Sequence, residues 1–129
     1  MQKKILKNIA ILIVFIFLVN LLAIKFHWYF TIWWFDMPIH FLGGFFISLA
    51  VLWLYFYRNP WSRFKITPAF ISLLSVFIIG VLWEIFEFSL DRSLTINLLS
   101  PIDSISDLFF DLSGGIVGTY VYVAKDMLE

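Results

Sequence analysis

Residues 66–90 read ITPAFISLLSVFIIGVLWEIFEFSL. Glu84 and Glu87 are the only charges in the stretch, and both lie near its end. As an α-helix it would rise ~37 Å, more than the ~30 Å of a bilayer's hydrocarbon core. In lipid the backbone must satisfy itself, so the segment is a helix unless the chain closes a barrel. The stretch therefore predicts a membrane-spanning helix with two carboxylates toward one end.

Three further apolar segments flank it: about 5–24, 38–57 and 101–124, the last with its apolar run from Leu108. Together the four predict an all-α, polytopic membrane protein with a single domain over residues 1–129. Composition agrees. The chain is 62% hydrophobic, 21% aromatic and 14% charged, with a mean hydropathy of +0.95. A soluble domain of this size needs a more polar surface. The formal net charge is zero, which argues against nucleic-acid binding, and the absence of cysteine excludes disulfides and thiolate metal sites. Lys3, Lys4 and Lys7 before an apolar run resemble a signal peptide. The run is long for one and no small-x-small site follows, so it reads as a retained first helix.

Basic residues orient the bundle. Four spans put Lys3, Lys4, Lys7, Arg58, Arg63, Lys65 and Lys125 on one side, against Lys25 and Arg92 on the other. This positive-inside bias predicts that both termini are cytoplasmic. The outer loop KFHWYFTIWWFDM, residues 25–37, is rich in Trp and Tyr and reads as an interfacial belt, with room for a short amphipathic segment. Tyr55, Tyr57 and Trp61, around the turn at Asn59-Pro60, suggest an inner belt. Residues 91–100 form a polar loop, and Ser100-Pro101-Ile102-Asp103 is a helix-start signature.

The acidic residues do not follow the basic ones. Asp36, Glu84, Glu87, Asp91, Asp103, Asp107 and Asp111, seven of the nine acids, fall on the outer side together with His40. Glu84, Glu87 and Asp91 share one helix face, as do Asp103, Asp107 and Asp111, and Asp36 lies four residues before His40. A carboxylate facing lipid at these depths costs on the order of 2–3 kcal/mol or more, so the polar stripes should face one another. Gly114 and Gly118, with Gly115 beside them and Gly43-Gly44 after His40, allow close helix approach.

Like charges so close either protonate or share a cation. Carboxylates with one imidazole suit a divalent ion: Mg, Mn, Zn, Fe or Ca. His40, Glu84, Glu87, Asp107 and Asp111 are the candidate ligands, and the first four are the candidates for any catalytic role. Asp36, Asp91, Asp103 and Arg92 form a secondary set. Asp103 reads as a helix cap, Asp91 as a solvated acid near Arg92, and Asp36 equally as a cap or a site member. His27 reads as interfacial. Asn20 reads as a hydrogen-bonding residue within the bundle.

The motifs resemble the VanZ-like superfamily of small bacterial membrane proteins, in particular its YjdF-type branch. Asp36-Met-Pro-Ile-His40 before Phe-Leu-Gly-Gly is similar to the family's D-x-x-x-H helix start. Trp83-Glu84-Ile-Phe-Glu87 is similar to its E-x-x-[QE] segment, and Asp107-x-x-x-Asp111-x-x-Gly114-x-x-x-Gly118 to its D-x-x-x-N-x-x-G-x-x-x-G helix. Asp103-Ser-Ile-Ser-Asp107 resembles the D-T-x-x-D of the YjdF branch. Where VanZ has Gln and Asn this chain has Glu87 and Asp111, and Arg92 only loosely matches the family's Arg. The resemblance implies a multi-pass protein of the bacterial plasma (inner) membrane, in a family associated with glycopeptide (teicoplanin) resistance. It supplies no reaction.

Three functional readings follow. The first is an outward-facing pocket for a divalent cation and a lipid or lipid-linked headgroup, with metal-dependent hydrolysis as its enzymatic form. The second is a proton- or ion-coupled transporter, which four helices could build only as a homo-oligomer. The third is a non-enzymatic envelope module. No H-E-x-x-H, G-x-S-x-G or basic phosphatase signature is present in the sequence.

Overall fold

In a computed structural model, residues 2–59, 66–94 and 101–128 are described. Five helices follow in order: α1 (Gln2–Lys25), the short α2 (Trp28–Thr31), α3 (Asp36–Arg58), α4 (Ile66–Leu94) and α5 (Pro101–Leu128). The turn at Pro60 and Trp61, the basic residues Arg63 and Lys65, the loop 95–100 and its capping Ser100 lie outside the described residues. So do the side chains of Asp91 and Arg92.

Among the described residues, three helices are long and apolar enough to cross a membrane: Lys3–Lys25, Asp36–Arg58 and Thr67–Ser89. Their outward faces leave Phe17, Phe70, Leu82 and Phe88 exposed, a surface that only lipid or another apolar partner covers well. α5 is more polar. Asp103, Asp107 and Asp111 occupy its first half, and glycine and hydroxyl residues dilute the rest. It tolerates this because the face that carries Asp107, Asp111 and the glycines packs along α3 and against α4.

The contacts fix the helix directions. Gly44 faces Asp111 and Ser48 faces Gly118, so α3 and α5 run parallel. Gly80 faces Asp111 and Val76 faces Gly115, so α4 runs antiparallel to α5. Ile5 and Ile9 of α1 join Leu52, Phe56 and Tyr122 in the apolar core, which sets the start of α1 beside the ends of α3 and α5. Phe56 and Tyr122 stack there with centroids 5.6 Å apart. Lys3, Lys4, Lys7, Arg58 and Lys125 consequently gather at one end of the bundle, and Asp36, Glu84, Glu87 and Asp107 at the other.

Glycine makes the α3–α5 approach possible. A Cβ on Gly44 would overlap the Asp111 carbonyl, and one on Gly114 would overlap the Phe41 carbonyl. The backbones thus touch at this crossing, as small-residue interfaces in membranes allow. Pro38 sits in the first turn of α3, where its missing N–H has no helical acceptor to lose.

Candidate functional site

The site is built around His40, which is 6% exposed on the inward face of α3. Four residues earlier on the same helix, Asp36 places Oδ1 3.6 Å from His40 Nε2. From α5, Asp107 Oδ2 lies 3.9 Å from the same nitrogen. Asp111, one turn further along α5, approaches the other side of the ring, with Oδ2 3.3 Å from Nδ1. The close α3–α5 crossing makes these contacts possible, because Gly44 and Gly114 flank the level of His40 and Asp111.

α4 closes the third side. Glu84 and Glu87 each bring a ligand atom to within 4.8 Å of His40 and of each other, and Asp36, His40 and Asp107 form a second such group. Glu84 is 9% exposed, and among the described residues both of its buried carboxylate oxygens have no hydrogen-bond partner. Glu87 is half-buried and accepts a hydrogen bond from the Trp83 indole. Access is graded. Asp36 and Glu87 are partly exposed at the mouth, while His40, Glu84, Asp107 and Asp111 lie buried behind them. Among the described residues, the basic side chain that Asp36, Asp107 and Asp111 meet is His40.

The geometry separates the two ring nitrogens. A carboxylate accepts from N–H, so the Asp111 contact favours a proton on Nδ1. That leaves the Nε2 lone pair toward Asp36 and Asp107. A carboxylate holding the far nitrogen of a ligating imidazole is the usual second partner at metal sites.

Not every acid on the expected faces joins the cluster. Asp103 lies in the first turn of α5 and is exposed, where an acid favours the helix N-terminus. It still acts on Asp36 electrostatically.

Two features escaped the sequence reading. Tyr29 of α2 lies close enough to feel the charges of Asp36 and Glu87, and its phenol donates to the Asn20 side chain of α1. Burial first, then those two carboxylates, push its pKa up to about 12. The chain reaches this position because His27 adopts a left-handed backbone (φ 57°) and turns α2 back over the bundle, where Trp28 and Tyr29 pack edge-on against Phe35. The second feature is a buried hydroxyl network nearer the basic end. Ser72 Oγ lies 3.3 Å from Thr119 Oγ1 and 3.4 Å from the Ser48 carbonyl. Val76, fully buried against Gly115, separates it from Asp111. Polar residues at Ser48, Ser72 and Thr119 inside otherwise apolar runs were the available signal.

The chain matches no curated protein and no solved structure. Residues 2–126 match a family model described as predicted membrane protein (DUF2238). With nearly its whole length covered, the chain is a member of that family of integral membrane proteins.

Proposed function

We propose that this membrane protein binds one divalent cation at the acidic end of its bundle, and that the cation in turn holds the polar headgroup of an envelope lipid or lipid-linked molecule. His40 Nε2, Asp36, Asp107, Glu84 and Glu87 would be the ligand set, with Asp111 orienting the imidazole. The observation that carries this reading is Glu84. A buried carboxylate with neither oxygen partnered is costly, and a shared cation beside His40 offsets that cost. The donor set of hard oxygens and one imidazole suits Mg, Mn, Fe, Zn or Ca. When bound, the ion would supply positive charge for a phosphate or pyrophosphate group.

Four spans, α5 included, complete the proposal. α5 runs beside α3 over the same depth, and the segregated basic end then lies in the cytoplasm by the positive-inside rule. The VanZ-like motif pattern, with acids at Glu87 and Asp111, favours a cation over a neutral headgroup alone and a bacterial plasma membrane.

The test is elemental mass spectrometry on protein purified without chelator, alongside Glu84→Gln and Asp107→Asn. Stoichiometric metal in the wild type, lost in both folded variants, is expected. Metal-free protein after supplementation with each of the five ions would overturn the reading.

A second reading, proton- or ion-coupled transport by an oligomer, is favoured by the Ser48–Ser72–Thr119 network, which continues polar groups along the same axis beyond Asp111. Val76 and Gly115 interrupt that path. Proton flux into liposomes, lost in Ser72→Ala and in Asp111→Asn, would favour transport; a monomer with no flux would eliminate it.

A further inference from the structure

A groove of about 410 Å³ runs between α1 and α5 from the basic end of the bundle, lined by none of the acidic-cluster residues. Phe45 and Leu49 of α3 form its floor. Along α1 it extends from Ile5 to Phe15, which is ~15 Å at helical rise. Half of a ~30 Å hydrocarbon core is the same depth, so the groove is one leaflet long. Its volume falls in the range of ~300–1,000 Å³ typical of ligand sites.

Asn8 and Lys125, with the Tyr122 phenol, supply the polar lining. Lys125 lies in the last turn of α5, and Asn8 faces the same mouth from α1. Lys4, exposed and one turn before Asn8 on α1, adds a second cation on that side. The mouth thus presents positive charge and an amide donor at headgroup level, above a channel whose lining is apolar apart from the Tyr122 phenol.

We infer that this groove holds one acyl chain of an anionic phospholipid from the leaflet at the basic end, with Lys125 meeting the lipid phosphate and Asn8 donating to it. Zwitterionic lipids fill the same channel with weaker headgroup attraction. The site is independent of the cation pocket and stands whether or not that pocket binds metal.

Native mass spectrometry on the full chain in detergent, with equal amounts of palmitoyl-oleoyl phosphatidylglycerol and phosphatidylethanolamine, tests it. Wild type should retain phosphatidylglycerol in preference. Lys125→Gln should reduce that preference about five-fold, the equivalent of ~1 kcal/mol for one lysine at an anionic surface. Lys125→Arg should keep it. Leu49→Trp, which fills the floor, should lose adducts of both lipids, with elution and circular dichroism checked against the wild type. Equal retention of both lipids by the wild type overturns the inference, as does retention unchanged in Lys125→Gln. A dimer dispersed by Leu49→Trp would assign the groove to a second copy and overturn it too.

Discussion

His40 and Asp111 meet with Nδ1 3.3 Å from Oδ2, on helices whose backbones touch one turn away. The contact gives the imidazole a fixed orientation and directs Nε2 at Asp36 and Asp107. Asp111 therefore acts on any bound cation through His40, and its loss should differ in kind from loss of a ligand.

Asp111→Asn keeps an acceptor for Nδ1–H but removes its charge. Divalent-cation affinity, read by competition with a fluorescent chelator, should fall about 10- to 100-fold, the usual effect of changing an outer-shell partner. His40→Gln should abolish measurable binding. Equal affinities in wild type and Asp111→Asn would show that Asp111 does not orient the ring.

Glu84 offers a sharper contrast because its two oxygens have no partner among the described residues. Glu84→Leu removes that burial cost while roughly keeping volume. In excess chelator the variant should be more stable than the wild type by ~1–3 kcal/mol, seen as a raised Tm. Saturating metal should raise the Tm of the wild type by mass action and leave the variant unmoved. A variant less stable than the wild type in chelator would mean that Glu84 has structural partners.

How much of this was legible in the sequence depends on which residues are considered. Glu84, Glu87 and His40 were readable from intramembrane charge alone, because few other reasons keep such groups in apolar runs. Asp103, Asp107 and Asp111 looked like one stripe. A step of four residues overshoots a 3.6-residue turn by about 40°, so three acids spread over about 80°. With Asp107 and Asp111 turned inward, Asp103 drifts to the exposed side. Tyr29 was hidden for a different reason. Its position depends on the left-handed turn at His27, a residue with none of glycine's freedom, and no local pattern announces it.

The α3–α5 crossing should be the least tolerant part of the molecule. Gly114→Ala places a Cβ on the Phe41 carbonyl, adjacent in sequence to His40, so the helices must separate. A loss of ~1–3 kcal/mol or more is expected in thermal unfolding, together with weaker cation binding as His40 leaves Asp111. Gly115→Ala meets only the Val76 side chain, with Cγ2 at 3.0 Å and Cγ1 at 3.2 Å, and no backbone, so it should cost less. The reverse order would place the tight contact on α4 instead.

Tyr29 reports on the pocket without being a ligand. Its phenol should ionise near pH 12 instead of 10, because burial and the charges of Asp36 and Glu87 disfavour the phenolate. Ultraviolet absorbance of wild type minus Tyr29→Phe isolates this titration from the other tyrosines. The folded chain then holds a proton that the unfolded chain releases. This contribution to stability is complete below pH 10 and falls away as the pH climbs toward 12. Tyr29→Phe should remove that segment of the pH profile. A cation in the pocket would neutralise Asp36 and Glu87, leaving burial as the main cause of the shift, so saturating metal should lower the Tyr29 pKa. An unchanged titration at saturating metal would mean that the ion binds away from Asp36 and Glu87, and would sink the proposed ligand set.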